Sequence, residues 1–381
     1  MNRRSFLKAA GASGVAAFVA GCSAEPVDDG ADGPTANETG GQNGTEGETG
    51  TATGTPSGPE TLRVATYSSF VDAPSSSPGQ WIKERFESEF DATLEWQIPD
   101  NEINYFIERA AQGVDSDADA YVGLDTNMLI RVDENVDGQL FAPVESDAVE
   151  GRNAVQSGLE FDPQGRAIPY DTGYISLVYN ENDATAPQTF DGLLRPEFEG
   201  DLLAQDPQSS ATGQAFLLHT IKAKGEDGYL DYWEQLQQNG VRVLGTWEDS
   251  YAAYSNGESP MVVSYSTDQV YANEEGEDLS EHQIRFLNGE AYANPEGMAR
   301  FADSQNTELA NRFLSFMLRP KVQAEIAVRN VQFPAIADAP LPEEFAQYAK
   351  EPETPVTFTY EELKGNLSEW TDAWARQFAS N

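Results

Sequence analysis

Cysteine is almost absent from this chain: Cys22 is the single one in 381 residues. One thiol forms no internal disulfide and no thiolate metal cluster, so the folded part must rest on its own core. Histidine is nearly missing too. His219 and His282 stand far apart and neither lies beside a nucleophile motif. Gly-Xaa-Ser-Xaa-Gly and P-loop patterns do not occur, which removes two common signatures of hydrolases and nucleotide-binding enzymes. Basic residues number 23 against 64 acidic ones, with lysine much scarcer than arginine. Without a basic stripe to neutralise phosphates, nucleic acid is not an expected partner. No apolar run approaches the roughly 20 residues that span a bilayer.

What is abundant is acid. The formal net charge is −41, and the carboxylates are spread along the whole chain. A surface evolved for one basic partner would cluster them. Dispersed acidity with little lysine points to a hydrated carboxylate surface that keeps the protein soluble in concentrated salt, as in an extreme halophile.

The N-terminus reads as an export address. Asn2-Arg3-Arg4-Ser5-Phe6-Leu7-Lys8 carries a twin-arginine pattern, followed by a short Ala/Gly-rich apolar run over 9–20. Val19-Ala20-Gly21-Cys22 resembles a lipoprotein cleavage box, so Cys22 is expected to carry the lipid and hold the protein on the outer face of the cytoplasmic membrane. The predicted signal thus covers 1–22. Residues 23–60 are Gly, Thr, Ser, Glu, Asp and Asn with few apolar side chains, which predicts a disordered tether.

Order is predicted from Thr61. The alternating strand Thr61–Tyr67, a loop to Gly79, a helix with Ile82, Phe86 and Phe90 on one side, and the strand Ala92–Ile98 come first. A helix over Ile103–Gln112 and the apolar strand Ala120–Leu124 follow. Later strands are predicted at Ile175–Tyr179, Met261–Tyr265 and Ala291–Ala293. Helices are expected near Gly213–Lys224, Tyr229–Asn239, around Leu309–Met317 and over Tyr360–Phe378, with a boundary or kink at Pro320. Strands alternating with helices define an α/β fold.

Four segments carry candidate site residues. Tyr67 and Asp125 follow apolar strands, where open α/β sheets place ligands. The alternative for Asp125 is to cap the next helix. Ser209 and Ser210 lie in Gln205–Gly213, ahead of a helix whose free N–H groups suit a phosphate, although plain capping explains them as well. Trp247, Tyr265 and Tyr271 are interleaved with Gly, Ser and Asp and could cage an organic cation or simply fill a core.

Taken in order, Tyr67-Ser68-Ser69-Phe70, Gly123-Leu124-Asp125, Pro169 to Tyr174, Gln205-Asp206-Pro207, Trp247 to Tyr251, Asn256 to Tyr265, Phe313 to Met317 and Asn330 to Pro334 resemble the thiamine-binding proteins of bacterial ABC importers. The resemblance implies a two-lobed type II periplasmic-binding-protein fold with crossing hinge strands. Lobe 1 would comprise 61–168 and 286–338, and lobe 2 would comprise 169–285 and 339–381. It implies capture of thiamine or a thiamine phosphate, delivery to an ABC permease and its ATPase, and no enzymatic step. No cofactor and no metal are expected, and the protein is expected to be a monomer. Trp247, Tyr265 and Tyr271 would meet the heterocycles, with Tyr67 facing them from the other lobe. Asp125 would take the aminopyrimidine or the positive charge, and Ser209 and Ser210 the hydroxyethyl end or its phosphate. Asp171 would either touch the ligand or bond within the hinge. Val331 stands where relatives carry Trp, the loop 75–78 lacks a second aromatic, and Ala211-Thr212 replaces a Thr-Pro pair. Another organic cation, such as a polyamine, is the alternative cargo, and an exported carboxylate enzyme the alternative class.

Overall fold

Eleven strands form one curled sheet in the computed structural model, which describes residues 60–73, 76–145, 147–274 and 276–379. The expected signal with Cys22, the tether up to residue 59, and Ser75 lie outside these residues. In chain order the strands are β1 (Glu60–Ala65), β2 (Ala92–Gln97), β3 (Ala120–Leu124), β4 (Ala167–Tyr179), β5 (Leu202–Gln205) and β6 (Arg242–Leu244). They continue with β7 (Met261–Tyr265), β8 (Gln283–Arg285), β9 (Glu290–Arg300), β10 (Phe333–Pro334) and β11 (Thr354–Val356). Across the sheet the order is β2-β1-β3-β9-β4-β7-β5-β6.

One wing, β2-β1-β3, is parallel, and so is the other, β7-β5-β6. The long strands β4 and β9 run antiparallel to each other between them. Since β3 is antiparallel to β9 and β7 to β4, the carboxyl ends of both wings point towards the middle of the β4–β9 pair. Every residue of β3 and β4 is buried, which fits their central positions in the sheet.

Helices cover both faces. In Gly79–Glu89, Ile82 and Phe86 are wholly buried at helical spacing, and Phe86 meets Phe313 and Phe316 edge-on at 5.5 Å. Such aromatic contacts add about 0.5–1.5 kcal/mol each beyond area burial. The helix Ala211–Lys224 is buried along most of its length beneath the second wing. The C-terminal helix Leu367–Phe378 docks there through Trp374, which meets Trp233 edge-on at 5.4 Å.

Several boundaries differ from the sequence expectation. β1 ends at Ala65, and Ser68–Asp72, expected as loop, is a short helix that buries Phe70. The strand predicted at Ile175–Tyr179 begins at Ala167, and the one predicted at Ala291–Ala293 runs on to Arg300. Asp171, Gly173, Pro295 and Gly297 disguise these strands, because such residues are rare inside sheets. Of the two expectations for Pro320, boundary or kink, the boundary is the one seen. Pro320 opens a second helix, Pro320–Asn330, at a position where its missing N–H costs nothing.

Candidate functional site

The register of the crossing strands measures the gap between the wings. Leu124, at the end of β3, pairs with Gly297, whereas Tyr265, at the end of β7, pairs with Ile175, itself opposite Tyr292. Five steps along β9 separate the two ends, roughly 17 Å at 3.4 Å per residue. Side chains from both wings, from the crossing strands and from the end of helix Pro320–Asn330 converge over this gap.

Tyr67 follows β1 and lies over Gly123, where an added Cβ would come within 2.5 Å of its ring. Gly123 has φ +94° and sits at an irregularity of β3, so glycine is required here both for backbone and for space. The Tyr67 hydroxyl donates to Glu296 Oε2 at 3.0 Å, and Tyr170 donates to the same oxygen at 2.6 Å. Asn330 Nδ2 donates to Tyr67 at 3.3 Å and to Asp171 Oδ2 at 2.7 Å. Asp171 is completely buried, and its Oδ1 has no hydrogen-bond partner. Burial, then the neighbouring Glu296 charge, pushes the Asp171 carboxyl well above the usual range. Burial also raises Glu296, against the lowering effect of the two tyrosine hydroxyls.

From the other wing comes Tyr265. Its ring packs over Gly173, where a Cβ would approach it to 2.7 Å, and its hydroxyl accepts from Thr212 at 3.3 Å. Burial pushes its pKa up to about 12. Gln332 Oε1 reaches the same spot over Gly173 and is a second buried acceptor without a partner. Asn127 Nδ2 donates to Gln214 Oε1 at 2.5 Å, linking the end of the first wing to the helix Ala211–Lys224.

The remaining predicted residues have definite local roles. Asp125 caps the helix Thr126–Asn135, accepting from Met128 N–H at 2.7 Å, and burial raises its pKa. Ser210 caps the helix Ala211–Lys224 through Gly213 N–H, and exposed Ser209 donates to Gly245 O at 2.7 Å. Trp247 opens the helix Trp247–Ser255, stacks on Tyr251 at 4.9 Å and donates to Ser264 Oγ at 3.0 Å, leaving its ring half-buried. Tyr271 is buried in the helix Asp268–Glu274. The structure therefore gathers Tyr67, Asp171 and Tyr265, and adds Tyr170, Glu296, Asn330 and Gln332, to which sequence reasoning gave no role. Glu296 lay in a stretch, Asn-Pro-Glu-Gly, that reads as a turn. A hollow of about 420 Å³ lies elsewhere, lined by Gln269, Gln283, Phe286, Gln347 and Lys350.

Residues 131–366 match the bacterial extracellular solute-binding protein family. The chain belongs to this family. The thiamine-binding periplasmic protein of Escherichia coli is 32% identical over 83% of this chain and 92% of its own. Its Salmonella typhimurium counterpart is 30% identical over the same shares. A solved periplasmic thiamin binding protein superimposes with a TM-score of 0.70 at 29% identity, covering 83% of this chain and 96% of its own. The two wings and crossing strands are accordingly the two-lobed type II periplasmic-binding-protein fold. As a family member the protein is not an enzyme but the solute-binding component of an ABC importer, working with a permease and its ATPase.

Proposed function

We propose that this solute-binding protein captures thiamine or a thiamine phosphate between its lobes and delivers it to the permease. The carrying observation is the pairing of Asp171 with Glu296 beside the rings of Tyr67 and Tyr265, with Asp125 near enough to act on Glu296, where no Lys, Arg or His among the described residues forms an ion pair with Asp171 or Glu296. Buried, unpaired negative charge disfavours an anion and favours a cation. Aromatic faces favour a flat cation, each contributing about 0.5–2 kcal/mol when desolvated. Unpartnered acceptors at Asp171 Oδ1 and Gln332 Oε1 suit an exocyclic amine. A thiazolium joined to an aminopyrimidine offers all three. Trp247 and Tyr271 would extend the aromatic wall, Asp125 would face the positive end, and Ser209 and Ser210 would receive the hydroxyethyl end or its phosphate. Similarity to the thiamine-binding proteins supports the same cargo.

Lobe closure about β4 and β9 would bury the ligand and form the surface that the permease reads. We further propose that the protein acts as a monomer held at the outer face of the membrane by a lipid on Cys22, and that its dispersed acidity serves a high-salt environment. Calorimetric titration in concentrated salt with thiamine, its mono- and diphosphate and putrescine tests the cargo. Thiamine or a phosphate is expected to bind tightest. Tighter binding of putrescine would replace the vitamin with a polyamine on the same fold.

A further inference from the structure

We infer that Asp171 and Glu296 form the charge-selecting pair of the cleft, and that a cation enters it in exchange for a proton. The basis is strand register. Asp171 of β4 stands directly opposite Glu296 of β9 in the antiparallel ladder, so the two carboxyl groups leave the sheet on the same face. Directly opposed residues hold their Cβ atoms about 4.5–5.5 Å apart, and like charges in that position repel. Asp171 is completely buried, and one of its oxygens has no hydrogen-bond partner.

The groups that face the pair supply no positive charge. Tyr67 after β1 and Tyr170 on β4 donate to Glu296, while Asn330, ending the helix Pro320–Asn330, donates to Asp171. Asp125 after β3 and Glu102 before the helix Ile103–Ala111 add negative charge, and Tyr265 on β7 is a neutral phenol. Arg131 acts on Asp125 and Glu102, and neither member of the pair has an ion-pair partner among the described residues. Two opposed carboxylates in a shielded place, stabilised by three neutral donors, keep one proton between them. A bound cation supplies the missing charge, and the O–H bond then breaks, the electron pair staying on the carboxylate and the proton leaving to water. A neutral isostere of the ligand lacks this compensation and is rejected.

This rests on the proposed cationic cargo, and the test separates the two. Thiamine is titrated calorimetrically at neutral pH into the whole protein in two buffers of different ionisation heat. Close to one proton released per thiamine is expected, with affinity rising up to about tenfold per pH unit while the pair is protonated. Asp171→Asn and Glu296→Gln, checked for folding by their melting curves, should bring the release close to zero and flatten the pH dependence. Thiamine binding with no proton release overturns this inference alone and leaves the cargo standing. No thiamine binding at all overturns the cargo and this inference together. The wild-type measurement decides even if neither variant folds.

Discussion

Replacing Tyr265 by alanine separates a ligand-binding ring from a packing one. The ring is only half-buried, rests on the bare backbone of Gly173 and anchors itself by one hydroxyl contact with Thr212 at 3.3 Å. Such a neutral hydrogen bond stabilises by about 0.5–1.5 kcal/mol. Tyr265→Phe therefore costs little stability and should leave thiamine affinity within about threefold, because the aromatic face remains. Tyr265→Ala removes the face as well. The loss of a desolvated cation–π contact, about 0.5–2 kcal/mol, predicts a drop in affinity of up to about 30-fold. Gly173→Ala should approach the alanine result by a different route. Its Cβ would lie 2.7 Å from the Tyr265 ring and 2.6 Å from Gln332 Oε1, so the ring must swing away. Tryptophan fluorescence or calorimetry with thiamine in concentrated salt gives all three affinities. Equal loss in Tyr265→Phe and Tyr265→Ala would mean that the hydroxyl is the contact. An alanine variant binding as well as wild type would place the ligand away from this ring.

Three further outcomes are expected. Trp247→Ala should weaken thiamine binding, but it also forfeits the stack on Tyr251 and the bond to Ser264. Together these are worth about 1–3 kcal/mol. A fall in Tm of roughly 2–5 °C in a thermal melt should accompany the lost affinity. Asp171→Asn should stabilise the ligand-free protein at neutral pH. The folded carboxyl is held above its unfolded value, so the folded state binds the extra proton, and wild-type stability falls as pH rises from about 4 towards the folded value. Melting curves across that range should show the variant gaining on wild type, and a wild-type advantage that grows with pH would contradict the assigned direction. Cys22→Ala should release the exported protein into the medium, which fractionation and immunoblotting detect. Retention on the membrane would remove the lipid anchor.

Much of the fold was legible because its regular parts follow simple periods. The helix bearing Ile82 and Phe86 and the strands at 92–97, 120–124 and 261–265 announce themselves by spacing alone. The crossing strands did not. β4 and β9 carry Asp171, Gly173, Pro295, Glu296 and Gly297 in their middles, residues that argue against a strand. Their function depends on that irregularity. Glycines at 123 and 173 vacate the volume that Tyr67 and Tyr265 fill, and acids where a sheet wants valine put charge in the gap between the lobes. Asn330 opens the stretch Asn330 to Pro334, yet its role appears only when helix Pro320–Asn330 brings it between Tyr67 and Asp171.

The acidity of the chain has two different physical meanings, and composition cannot separate them. Most carboxylates among the described residues stand in solvent, where water and salt screen them and position hardly matters. The wholly buried Asp171 and the half-buried Glu296 look the same in a charge count but stand side by side in the sheet, where no basic side chain among the described residues pairs with them. A hinge that keeps such a pair carries a cost to its own stability, which falls away only when a positive solute arrives. Closure of the lobes and choice of cargo then draw on one source, the relief of buried negative charge. The same substitution that makes the empty protein more stable should make it a poorer receptor.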